Sequence, residues 1–178
     1  VWANDDPVCW FNIELNATDL DVGVRGFFDY EPYEELEIED PNENEIADLE
    51  LENSLADQGF AEFFFESGEP ELADLSFAEF FERFPEGTYE YEAEVIDDDE
   101  EEEEIEEECE DDEVECEAEF THVIPCAPEI HARGNSDKGY FIKWKRVTQV
   151  VDTAATDQQG ELVCKKSDDL TIVGYEII

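Results

Sequence analysis

Two stretches of this chain alternate so strictly that they admit one backbone geometry. Thr88-Tyr-Glu-Tyr-Glu-Ala-Glu-Val95 sets Tyr89, Tyr91, Ala93 and Val95 against Glu90, Glu92 and Glu94. Glu115-Cys-Glu-Ala-Glu-Phe-Thr121 sets Cys116, Ala118 and Phe120 against Glu115, Glu117 and Glu119. Successive side chains of an extended chain point to opposite faces, so a period of two with one apolar set describes half-buried strands. The two are expected to pair antiparallel as an acidic hairpin over 88–122. Asp97 to Glu117 is 21 residues of which 17 are Asp or Glu, the exceptions being Ile105, Cys109, Val114 and Cys116. Whatever fold forms has to neutralise that tract. Val95, Ile105 and Cys109 share the parity of Tyr89 and Tyr91, so the tract is either a continued strand or a solvating brush.

The charge problem extends beyond the tract. With 55 acidic side chains against 9 Lys and Arg, the chain carries −46, and it carries it unevenly. Residues 1–128 hold 47 acids and two bases, Arg25 and Arg83, whereas residues 129–178 hold 8 acids and 7 bases. Such a field repels nucleic acid and anionic membranes, whose phosphates need the opposite sign. It also strains the compact state by self-repulsion. Three remedies exist: high salt of a halophilic habitat, which shortens the Debye length to roughly 3 Å at 1 M; bound Ca²⁺ or Mg²⁺; or a cationic partner surface. Folding is nonetheless expected, because 13 Phe, 6 Tyr and 3 Trp supply a core that disordered acidic chains lack. No run of about 18 apolar residues occurs, so no membrane insertion is expected. The chain starts at Val1-Trp-Ala-Asn and holds no Met, which is read as a processed secreted protein.

Further strands are expected at Trp10–Ala17, at Val24–Phe28, at Glu35–Glu39 with its partner Ile46–Glu52, and at Phe60–Glu66. Thr18-Asp-Leu-Asp-Val-Gly23 and Asp40-Pro-Asn-Glu-Asn44 read as turns. Ser76-Phe-Ala-Glu79 is a capping box, followed by Phe77, Phe80, Phe81 and Phe84 at helical spacing and stopped by Pro85. It predicts one short amphipathic helix, about 76–84, lying as a lid on a sheet face. Beyond the prolines at 125 and 128, strands are expected at 128–130, Gly139–Val147 and Leu170–Ile178, with Trp144 as a core anchor.

The string Phe11-Asn-Ile-Glu-Leu-Asn-Ala-Thr-Asp19, with Phe63-Phe-Phe-Glu-Ser67, Phe84-Pro-Glu-Gly-Thr-Tyr89 and Thr121-His-Val-Ile-Pro125, resembles an uncharacterised family of secreted bacterial proteins. Its members pair an acidic β-rich domain with a fibronectin type III-like segment. The resemblance implies a mostly β protein: an antiparallel β-sandwich over 1–125 and a partial fibronectin type III-like strand set over 126–178. In that set Ile142-Lys-Trp144 resembles the Trp-bearing B strand, and Val173-Gly-Tyr-Glu-Ile-Ile178 the C strand. Two departures stand out: the acidic hairpin connection is far longer than the family's, and three strands are present of a seven-strand sandwich. An incomplete sandwich exposes a strand edge, a template for pairing with a neighbour.

The chemistry-bearing residues are few. His122 and His131 are the only near-neutral bases, His122 sharing the parity of packed Phe120, and no nucleophile-elbow, P-loop or paired-His motif occurs. The chain is therefore expected not to be an enzyme. Asp19 and Asp21, ahead of Gly23, offer alternate carboxylates to a cation, and Asp97, Asp98 and Asp99 are a second candidate cation site. Cys109 with Cys116 at the hairpin tip, and Cys9 with Cys126 at the domain ends, are candidate disulfides, other pairings being open. Cys164 is then left for an intermolecular bridge or a free thiol. Lys143, Lys145 and Arg146 form a basic cluster able to contact the acidic body of another subunit. Together these features lead to an extracellular or cell-surface protein that self-associates as a structural or adhesive filament or matrix subunit; the alternative is a monomeric calcium-binding module.

Overall fold

A computed structural model of the chain describes residues 6–96, 113–135, 139–156, 161–168 and 170. The protein is mostly β, with antiparallel pairing throughout and one short helix. In chain order the elements are β1 (Val8–Asn16), β2 (Asp21–Glu39), β3 (Glu45–Glu50), β4 (Phe60–Glu66), α1 (Phe77–Arg83), β5 (Gly87–Val95), β6 (Glu113–Phe120), β7 (Ile130–Asn135), β8 (Gly139–Trp144), β9 (Gln149–Thr156) and β10 (Leu162–Lys166).

The organising strand is β2. The sequence predicts two short strands there, but 19 residues run continuously, beginning at Asp21 within the predicted turn. Its first half pairs with β1 on one side and β4 on the other, over Arg25–Asp29. Its second half pairs with β3 and β5, over Glu35–Glu39. The ladders break register around Tyr30–Pro32, where Pro32 has no N–H to give to a ladder. The chain bends at that point without leaving the sheet.

The bend folds one antiparallel sheet over itself into two layers. Phe11 of β1 stacks on Tyr89 of β5 with ring centroids 4.2 Å apart and meets Phe120 of β6 edge-on at 5.2 Å. Phe28 stacks on Tyr91 at 6.0 Å. β1 does not hydrogen-bond to β5, so these contacts cross the sandwich face to face; such ring pairs each add about 0.5–1.5 kcal/mol beyond area burial. Close approach of the layers needs Gly26: a Cβ there would lie 2.2 Å from the Phe65 ring and 2.7 Å from the Tyr91 hydroxyl. That hydroxyl donates to the Trp10 carbonyl at 3.0 Å, tying β5 to β1.

Helix α1 forms as its capping box predicts. The Glu79 amide donates to Ser76 Oγ at 3.3 Å, and the Ser76 amide donates to Glu79 Oε2 at 3.0 Å. Phe77 and Phe80 are buried in the common core, and Phe84 leans on Phe11. Phe81 stacks on His122 at 3.7 Å, and His122 Nε2 lies 2.7 Å from the Phe84 carbonyl, so this histidine is packed.

Both disulfides correct the expected pairing. Cys116 bonds to Cys9, and Cys126 bonds to Cys164. Cys9 lies inside β1 rather than before it, and folding the sheet brings β1 against β6 with these two Cα atoms 6.1 Å apart. Cys164 is thus neither free nor intermolecular, and Cys109 lies outside the described residues. The second bond fastens β10 to the body. β9 is held there too: Val151 joins the same core as Phe11, its amide donating to the Ile124 carbonyl at 2.8 Å. β7 and β8 form a separate two-stranded sheet. On it Trp144, expected as a core anchor, is instead 37% exposed.

Candidate cation-binding face

Alternation puts the apolar residues of β2, β5 and β6 inside, so their glutamates must share the outer face. The register then decides which carboxylates meet. One row across the sheet is Glu50 on β3, Glu35 on β2, Glu94 on β5 and Glu113 on β6. The next is Asp48, Glu37, Glu92 and Glu115, and the third is Glu45, Glu39, Glu90 and Glu117. Twelve carboxylates therefore occupy a lattice of four strands by three rows. Neighbouring strands are about 4.8 Å apart and alternate residues along a strand about 6.8 Å apart. Like charges directly opposite one another destabilise a sheet.

The carboxyls register that crowding. Burial raises the pKa of Glu35, and Glu94, Asp48 and Glu50 raise it further. Glu37 is raised by burial, then by Glu45, Asp48, Glu35 and Glu39. Glu92 is raised by burial, then by Glu113, Glu37 and Glu115. After burial, Glu94 is the largest cause at Glu35, and Glu113 at Glu92. Oxygens of Glu35, Glu37 and Asp48 also lie within 4.8 Å of one another. The ion pairs among the described residues are Arg25–Glu14, His131–Glu129, Lys145–Glu129 and Lys165–Asp152, and none touches the lattice.

A second carboxylate group sits on the other half of β2, where Glu14, Glu66 and Glu69 converge within 4.8 Å. Arg25 already enters this one, its Nε 3.2 Å from Glu14 Oε2. Burial raises Glu69, as do Glu14, Asp21 and Glu66, while Arg25 lowers it. This group carries its own counter-charge; among the described residues the lattice has none.

The predicted cation ligands fall elsewhere. Asp19 is an exposed turn residue whose carboxylate accepts from Asn16 Nδ2 at 2.9 Å. Asp21 has entered β2 and faces Glu69, so the two do not form a ligand set; the turn ends at Leu20, in the left-handed region at φ 58°. Asp97, Asp98 and Asp99 lie outside the described residues. Lys143, Lys145 and Arg146 are exposed together at the end of β8, with Lys145 bonded to Glu129. What reading the sequence missed is the lattice. Its signal was present in Glu35-Leu-Glu-Ile-Glu39, which alternates as Glu90, Glu92 and Glu94 do with their apolar neighbours, but the alignment of rows depends on pairing between residues some 55 apart. Comparison with known protein families, with curated proteins and with solved structures returns no match for this chain.

Proposed function

We propose that this chain is a secreted, non-catalytic surface protein whose ordered acidic sheet face takes up divalent cations, Ca²⁺ or Mg²⁺, from its surroundings. One arrangement carries the reading: three rows of four carboxylates, with no described lysine or arginine among them. Calcium takes six to eight oxygen ligands in flexible geometry. An ion between strands meets carboxylates from both, and it offsets the repulsion that Glu94 exerts on Glu35 and Glu113 on Glu92. The sheet backbone already holds these groups, so little ordering is required on binding. Two intramolecular disulfides are compatible with an oxidising, extracellular setting, as is the resemblance to secreted bacterial proteins. The non-catalytic reading is supported by the two histidines, one packed against Phe81 and the other paired with Glu129.

Calorimetric titration with CaCl₂ and MgCl₂, paired with melting curves against NaCl of equal ionic strength, tests this. For a surface site of millimolar affinity, cation at ten times Kd stabilises by about 1.4 kcal/mol per site. That corresponds to roughly 3–6 °C for a protein of this size. Glu37→Gln with Glu92→Gln should remove most of the heat. If NaCl stabilises equally and no heat of binding is seen, the face is a general solvating surface for saline media, and the cation reading fails.

A further inference from the structure

The β7–β8 hairpin has two unlike faces. Pairing of Ile130 with Trp144 and of Ala132 with Ile142 makes one apolar; pairing of His131 with Lys143 and of Arg133 with Phe141 makes the other cationic and aromatic. Both are open: Ile130 is 61% exposed and Phe141 66%. Among the described residues β7 and β8 pair with each other and with no further strand. An isolated two-stranded hairpin is marginal in water, so one with large apolar side chains outside is suited to being covered. Arg133, Lys143 and Arg146 have no ion-pair partner among the described residues.

We infer that this hairpin docks onto the carboxylate lattice of a second copy of the chain. Charge complementarity selects the occupant. Residues 130–146 hold five of the chain's nine Lys and Arg, while residues 1–128 carry a net −45. Spacing agrees as well: alternate residues on the hairpin repeat at about 6.8 Å, the same interval as the carboxylate rows. Lys143 and Arg133 then lie over successive rows, and Phe141, across from Arg133, is covered with it. The contact does not depend on cation uptake, but it uses the same face, so Ca²⁺ competes with it.

Sedimentation velocity of the oxidised full chain at about 0.15 M salt, over a hundredfold range of concentration, tests the inference. The wild type should associate. Arg133→Glu/Lys143→Glu and, separately, Glu37→Lys/Glu92→Lys should each weaken association by roughly tenfold or more, since each sets like charges opposite one another. Mixing the two variants should restore it, because each then meets a complementary surface. Circular dichroism verifies that both variants fold. A wild type that sediments as a monomer throughout, variants that associate like the wild type, or a mixture that does not recover would each overturn the proposal. Monomers that give a calcium heat would sink only this inference; association without calcium heat would sink only the cation reading.

Discussion

Neutralising one lattice carboxylate should stabilise the protein, and Glu92→Gln is the sharpest case. Glu92 has Glu37 and Glu115 directly across and Glu90 and Glu94 two residues away along β5. Carboxylates about 6 Å apart in water repel by about 0.7 kcal/mol. Four such neighbours sum to about 2.5 kcal/mol before screening, and repulsion in the acid-rich unfolded chain cancels part of it. A gain of about 2 kcal/mol is therefore expected at 0.01 M salt, where the Debye length is about 30 Å. At 0.15 M the length is about 8 Å and the gain falls to about 1 kcal/mol. At 1 M it should sink into the usual ±0.5 kcal/mol of surface substitutions. Chemical and thermal unfolding at pH 7.5 and these three salt concentrations give the readout, about 4–8 °C in Tm at the lowest. Glu52→Gln, exposed beyond β3 and in register with no strand, is the control. If Glu92→Gln is neutral or destabilising at low salt, or its gain ignores salt, the carboxylates are not held in the rows described.

The same crowding fixes a pH profile at low salt. Glu35, Glu37, Glu69 and Glu92 bind protons more readily folded than unfolded, so stability should rise as pH falls from 7 towards their ordinary 4.5. Below that it should drop, because Asp40, Glu79, Glu86, Glu129 and Asp152 are held below their ordinary values and lose their hydrogen bonds on protonation; a melting temperature that falls monotonically from pH 7 would contradict this. Replacing Cys9 and Cys116 by Ser opens a crosslink spanning 107 residues and should cost roughly 3–4 kcal/mol, read as a lower midpoint in urea, with non-reducing peptide mapping locating the pairs. A peptide linking Cys109 to Cys116 would refute the packing of β1 against β6.

Local pattern was enough to read the helix, the strand parity and the packed His122. Ser76 and Glu79 act within one turn, and Tyr89, Tyr91 and Ala93 need only their own strand to show which face is buried. The failures all involve distance along the chain. Val24–Phe28 and Glu35–Glu39 read as separate strands, yet flanking partners on both sides carry β2 through the residues between them. Cys9 and Cys116 meet only once β2 has bent and set β1 on β6; nearness in sequence pointed Cys116 to Cys109, and position at the domain ends pointed Cys9 to Cys126. The lattice likewise follows from register, which no single strand contains.

Why a fold should keep twelve like charges on one face can be argued from what opposes them. The lattice belongs to the layer containing β6, the strand whose outward Glu113, Glu115 and Glu117 have a carboxylate neighbour on one side only. β6 is the member most easily pushed off by repulsion, and it is the one bonded covalently to the opposite layer through Cys116. Just inside the lattice, Tyr89 and Phe120 clasp Phe11, and the Tyr91 hydroxyl holds the Trp10 carbonyl. The crosslink and the aromatic core therefore hold an outer strand of the lattice to the opposite layer. They let the carboxylates stay in register when no cation lies between them, which is the condition for a face that gains and loses ions without unfolding. By this logic the disulfide should matter most in low salt without calcium, and least when either is supplied.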